Sequence, residues 1–113
     1  MYMEGIEMTC FQIISSVGMA RASFIEAIDY AIDGKFDQAE DKIKEGEEYF
    51  VEGHKAHAGM IQKEANGDKT EIVLLLLHAE DQLMSAESFK ILADKFIRLS
   101  KKISHSKGVQ DYE

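Results

Sequence analysis

Proline is absent from the 113 residues, and aromatic side chains make up only 9%. A chain without proline suits long unbroken helices and suits turn-rich β architectures badly. Cysteine occurs once, at Cys10, which excludes an intrachain disulfide. Basic residues are scarce: 13 Lys and Arg stand against 21 Asp and Glu, for a net charge of -8. That field repels phosphate backbones and anionic lipid headgroups, so nucleic acid and membrane surfaces are excluded as natural partners. Long apolar runs are missing as well. The longest, Ile72 to Leu77, falls far short of the ~20 residues of a membrane-spanning helix. The N-terminal stretch lacks the basic region and apolar segment of a secretory signal. These absences predict a cytoplasmic helical protein with no direct membrane insertion, and at about 150 residues per domain there is room for one domain.

What is present is a three-four spacing of apolar and small residues. Ile6, Cys10, Ile13, Val17, Ala20, Phe24, Ala27 or Ile28, and Ala31 mark one amphipathic helix that ends near Asp33-Gly34. Phe36, Ala39, Ile43, Gly46, Phe50, Gly53, His57, Met60 or Ile61, and Glu64 mark a second, stopped by Asn66-Gly67-Asp68. Thr70 can cap a third, with Leu75, His78, Gln82, Phe89, Leu92, Phe96, Leu99 and Ile103 as its inner stripe. The pattern predicts an all-α fold, an antiparallel up-down-up three-helix bundle over residues 1–104. The third helix is expected to fray after Ser104, leaving residues 105–113 as a polar, mobile tail. Gly46 and Gly53, seven residues apart on the inner stripe, are expected to allow close helix approach.

The third helix has more apolar surface than one bundle can use. Residues 72–77 are apolar around nearly the whole perimeter, whereas a bundle helix buries a stripe little wider than 100°. Leaving two or three of these leucines wet costs several kcal/mol, at about 1.5 to 3 kcal/mol per large apolar side chain. Self-association through this helix is the economical answer.

His78 ends that run, with Asp81 three residues on and Gln82 four on. At 100° per residue Asp81 lies about 60° to one side of His78 and Gln82 about 40° to the other, so the three share a face. Two readings stand at this point: a core histidine satisfied by a neighbour beside a solvated aspartate, or a nucleophilic imidazole with its orienting shell. His54 and His57, three apart, could offer two metal ligands, yet a site needs a third and fourth. His105 falls in the tail. Cys10 reads as a small core hydrophobe. Gly-rich phosphate loops, nucleophile elbows and Cys-x-x-Cys motifs are absent.

Four segments, in order, resemble one family. They are Phe11-Gln12-Ile13-Ile14-Ser15-Ser16-Val17-Gly18-Met19-Ala20-Arg21, Gly34-Lys35-Phe36-Asp37-Gln38-Ala39, Ile61-Gln62-Lys63-Glu64-Ala65, and Leu77-His78-Ala79-Glu80-Asp81-Gln82-Leu83-Met84. Together they resemble the enzyme IIA components of the lactose/cellobiose/chitobiose class of the bacterial phosphotransferase system. The resemblance implies a cytoplasmic phosphocarrier that assembles as a homotrimer of three-helix bundles. It implies that His78 accepts a phosphoryl group from HPr and passes it to a cysteine of enzyme IIB, energising uptake of a lactose/cellobiose/chitobiose-type disaccharide. It further implies that Asp81 meets its symmetry mates around a divalent cation at the trimer axis, with magnesium the expected ion.

Two positions depart from the family's common His-Ala-Gln-Asp-His: this chain has Glu80 and Gln82. Gln82 keeps a donor that can orient phosphate but cannot titrate. Glu80, about 160° around the helix from His78, is expected to reach such a site only from a neighbouring subunit. Position 57 is His where the family often has Gln. The competing function is a diverged, non-catalytic helical oligomer with a regulatory or interaction role.

Overall fold

A computed structural model describes residues 5–111, with side chains to residue 106. Three helices follow one another, α1 (Ile6–Ile32), α2 (Phe36–Ala65) and α3 (Leu74–Asp111), with no strand among the described residues. They lie side by side as the expected antiparallel bundle, 66 × 29 × 20 Å overall.

The core repeats by sevens. On α1, Cys10, Val17, Phe24 and Ala31 form one buried row and Ile13, Ala20 and Ala27 another. On α2 the row is Ala39, Gly46 and Gly53, and on α3 it is Ala79, Ala86 and Ala93, flanked by Leu83 and Ile97. A seven-residue repeat keeps a helix seam facing its neighbour at a shallow crossing angle. α1 packs along both other helices, whereas α2 and α3 meet much less. Its length and apolar composition would also suit a membrane span, but the apolar rows are the core of the bundle.

Gly46 and Gly53 do set the approach of α2 to α1. A Cβ at Gly46 would lie 2.5 Å from Cε1 of Phe24, and one at Gly53 would lie 2.6 Å from Cγ1 of Val17. Both helix ends that the sequence marks are closed by glycine in the left-handed region, Gly34 at φ 77° and Gly67 at φ 99°. The backbone N–H of Lys35 reaches back to the Tyr30 carbonyl at 2.9 Å, and that of Asp68 to the Lys63 carbonyl at 3.0 Å. These bonds satisfy carbonyls that each helix end would otherwise leave open. Lys42 bridges to Glu26 of α1 at 3.0 Å and Lys101 to Glu40 of α2 at 2.8 Å; being exposed, these pairs align the helices more than they stabilise them.

α3 differs from its expected form in three respects. It begins at Leu74, with the Leu77 N–H bonded to the Val73 carbonyl, so Thr70 is not its cap. Ile72 and Val73 are β-branched, poor helix formers, and belong to the loop that returns the chain after Gly67. It continues past Ser104 to Asp111, while residues 112 and 113 lie outside the described residues. Its inner stripe is also rotated. Ala79, Leu83, Ala86, Ala93 and Ile97 face the core, whereas His78, Leu92, Phe96, Leu99 and Ile103 are exposed, with Leu75, Gln82 and Phe89 half-buried on the flank. Close packing against α1 selects small side chains, and the bulky ones turn outward.

Candidate functional site

His78 stands exposed on the second turn of α3, and Asp81 is exposed one turn further. Gln82 is half-buried on the flank where α3 meets α1. The three share the face that their spacing predicts, but that face points away from the core, so the reading of His78 as a satisfied core histidine does not hold. Side chains on a helix lean toward its N-terminus, so the imidazole projects back over the first turn, where N–H groups lack intrahelical partners and the dipole is positive. An anion carried by His78 finds favourable charge there.

Gln82 is held from across the bundle. Nη1 of Arg21, on α1, donates to Oε1 of Gln82 at 3.2 Å. The Arg21 guanidinium also lies 5.6 Å from the ring centroid of Phe89, one heptad beyond Gln82. Both contacts follow from the seven-residue repeat: Ile14, Arg21 and Ile28 run along the flank of α1 opposite Leu75, Gln82 and Phe89 of α3. Arg21 is the only basic residue in α1. That composition was the available signal for it, although its partner lies 61 residues away.

Glu80 and His57 meet each other. The His57 Nε2–H donates to Glu80 Oε1 at 2.5 Å, joining α2 to α3 within one chain. The expectation that Glu80 reaches the site only from a neighbouring subunit is therefore corrected, because the side chain is engaged on the far side of its own helix. His57 lies on the inner row of α2 after Ile43 and Phe50, which turns it toward α3. His54 points elsewhere and tilts against Phe50, centroid to centroid 6.1 Å. The two histidines do not converge. Cys10 is fully buried, and its thiol is pushed up by burial and, secondarily, by the charge of Glu80. A thiol so placed stays protonated and inert.

Among the described residues no cluster of His, Cys, Asp and Glu could hold a metal ion within one chain. Asp81 forms no ion pair among the described residues, and its side chain is exposed. A groove of about 780 Å³ opens where the start of α1, the end of α2 and the following loop meet, yet His78, Asp81 and Gln82 do not line it. Small-molecule enzymes usually bind substrate in a cleft; an exposed helix face suits a group delivered by a docked protein.

Residues 8–101 match the model of the phosphotransferase system lactose/cellobiose-specific IIA subunit. The chain belongs to this family. Among IIA relatives, the lichenan-specific phosphotransferase enzyme IIA component of Bacillus subtilis is 39% identical over 93% of this chain and 96% of that protein. The lactose-specific EIIA component of Streptococcus mutans is 35% identical, over 81% of this chain and 88% of its own length. The crystal structure of the cellobiose-specific enzyme IIA from Bacillus anthracis superposes with a TM-score of 0.89 at 40% identity, covering 92% of this chain and 95% of that one. This IIA chain is thus a sugar-specific phosphotransferase component with the three-helix fold of its relatives.

Proposed function

We propose that this IIA chain is a phosphocarrier that takes a phosphoryl group from HPr on His78 and gives it to a cysteine of enzyme IIB. The sugar then served is a lactose/cellobiose/chitobiose-type disaccharide, taken up through a membrane component, with the carrier working in the cytoplasm. The observation that carries this reading is the exposure of His78 at the N-terminal end of α3, beside a carboxamide held by Arg21.

In the first half-reaction a neutral imidazole nitrogen of His78 attacks phosphorus. The nitrogen–phosphorus bond forms as the bond to the donor breaks, and the donor leaves with the electron pair. In the second, the thiolate of IIB attacks the same phosphorus and the imidazole leaves. One histidine serves both, because the nitrogen is nucleophilic near neutral pH and a good leaving group once phosphorylated. The remaining contribution is positioning and charge stabilisation: the first turn of α3 and the Gln82 amide offer donors to phosphoryl oxygens.

The working unit in this proposal is a homotrimer. Leu74, Leu92 and Leu99 are exposed on the face of α3 that also carries His78 and Asp81, and three copies would bury these side chains against one another. Asp81 from each copy would then approach the same axis. A single chain supplies one ligand, so the fit to a divalent cation such as magnesium exists only in that assembly; Asp81 carboxylates would hold it, and its charge would relieve their repulsion.

The test is incubation with enzyme I, HPr and phosphoenolpyruvate. Acid-labile phosphate on the native chain and none on His78→Ala is expected. No labelling, or labelling that survives His78→Ala, points instead to a non-catalytic helical oligomer.

A further inference from the structure

Arg21 is half-buried, yet among the described residues none of the chain's carboxylates pairs with it. A guanidinium in so acidic a chain instead donates to a neutral carboxamide, Gln82, at 3.2 Å, while resting over the ring of Phe89 at 5.6 Å. We propose that Arg21 is a positioning residue for phosphoryl transfer: it fixes the Gln82 carboxamide so that its NH₂ group, not its oxygen, is presented to the phosphoryl group on His78.

The argument is one of polarity. An unrestrained glutamine can offer either end of its amide, and an acceptor turned toward phosphate repels it. Arginine carries donors only, so the end of Gln82 it binds must be the oxygen. The remaining end is the NH₂, and phosphoryl oxygens are acceptors. Gln82 follows His78 by four residues on one helix face, a spacing that brings the two side chains together. Phe89 fixes the guanidinium plane from the next heptad, so the donor chain runs from α1 through Gln82 to the site. The carboxamide needs a partner to set its direction, and Arg21 supplies it.

The proposal rests on the phosphocarrier reading, and the experiment separates the two. Rates of phosphorylation by phospho-HPr are measured for the native protein, Arg21→Met, Gln82→Leu and the double variant. Helix content is checked by circular dichroism. The Gln82 side-chain amide is followed by ¹H–¹⁵N spectroscopy before and after phosphorylation.

Each single variant should be slower by about tenfold or more, the worth of one hydrogen bond to a charged group. The double variant should be slower than the slower single by no more than about twofold, because both act through one contact. The native Gln82 amide protons should move downfield on phosphorylation, and those of Arg21→Met should not. If Arg21→Met loses helix content, Arg21→Lys, which keeps charge and a donor, takes its place and should retain the downfield movement. Rates of Arg21→Met within twofold of native, multiplying effects in the double variant, a native-like amide response in Arg21→Met, or a lost response in Arg21→Lys overturn the proposal. A native protein that takes up no phosphate overturns the carrier reading and this proposal with it; native labelling with an indifferent Arg21 variant overturns this proposal alone.

Discussion

Two glycines of α2 give opposite answers to the same substitution. At Gly59 a Cβ would meet nothing within 4 Å. Alanine there removes the backbone freedom of glycine from a helix, so Gly59→Ala should stabilise by about 0.5 to 1 kcal/mol. At Gly46 the same gain applies, but the new methyl would lie 2.5, 2.8 and 3.0 Å from three atoms of the Phe24 ring. Carbon atoms rest at about 3.5 to 4.0 Å, so the ring must retreat by roughly an ångström. Phe24 is fully buried and packed among Ala20, Ala27 and Ile43; it has nowhere to go without displacing its neighbours. Overpacking of this kind costs about 1 to 3 kcal/mol.

Because the propensity gain is common to both sites, the difference between the two variants isolates that packing penalty. Gly46→Ala should therefore be less stable than Gly59→Ala by about 1 to 3 kcal/mol. Urea unfolding followed by far-ultraviolet circular dichroism measures it, at one fixed protein concentration because the proposed assembly would make apparent stability concentration-dependent. A second substitution checks the cause: Phe24→Leu in the Gly46→Ala background should cost less than Phe24→Leu alone, since the methyl occupies part of the space the ring vacates. If Gly46→Ala stabilises as much as Gly59→Ala, the close approach of α1 and α2 is not what selects glycine there.

The pair His57–Glu80 is open to a mutant cycle: His57→Gln and Glu80→Gln should each destabilise, and the double variant should recover roughly 0.5 to 1 kcal/mol relative to additivity, a modest sum because the glutamate is partly exposed. Cys10 should react with a thiol reagent at pH 8 far more slowly in the native protein than in urea, since burial raises its pKa and depletes the thiolate; equal rates would contradict its place in the core. If the proposed trimer forms, Leu99→Glu should leave helix content unchanged while reducing the sedimenting mass to one chain, because Leu99 is exposed in the bundle and would serve only the assembly. If the assembly holds a divalent cation at Asp81, a chelator should lower its melting temperature, and Asp81→Asn should abolish that sensitivity.

How much of this could be read from the sequence varies by helix. On α1 the buried residues are those the three-four spacing marks, because α1 packs along both other helices and its inner rows hold a regular heptad, while Met8, Phe11, Met19, Ile25 and Ile32 stay outside. Ser23 alone escaped notice, a small polar residue admitted to the interface by size. α3 misled because it is apolar on opposite faces: size favoured Leu92, Phe96 and Leu99 as core, whereas close approach to α1 selects Ala79, Ala86 and Ala93. The site divides in the same way. His78, Asp81 and Gln82 lie within one stretch of helix, so spacing alone places them together. Arg21 reaches Gln82, and His57 reaches Glu80, only through the rotation and stagger of whole helices, which no local pattern encodes. Glu80 and His57 each stood out singly; the bundle makes them partners.

The two rows of α3 also bear on why the proposed phosphorylation site lies near one end. The inner row of alanines is uniform along the bundle, so the bundle itself prefers no location for a site. The outer row is not uniform: it runs Leu74, His78, Asp81, Ser85, Ser88, Leu92, Lys95 and Leu99. Leucines occupy its two ends, and the stretch between them is polar. In the proposed trimer, apolar burial at both ends would hold three copies in register, and the polar interval would carry the carboxylates that an ion must neutralise. His78 lies at the N-terminal edge of that interval, one turn from the open N–H groups of the helix and one turn from the amide that Arg21 holds. Moving the histidine one heptad along, to position 85, would keep its face and its closeness to Gln82 but forfeit the helix terminus. Position 78 combines this face, the helix terminus and the neighbouring Gln82.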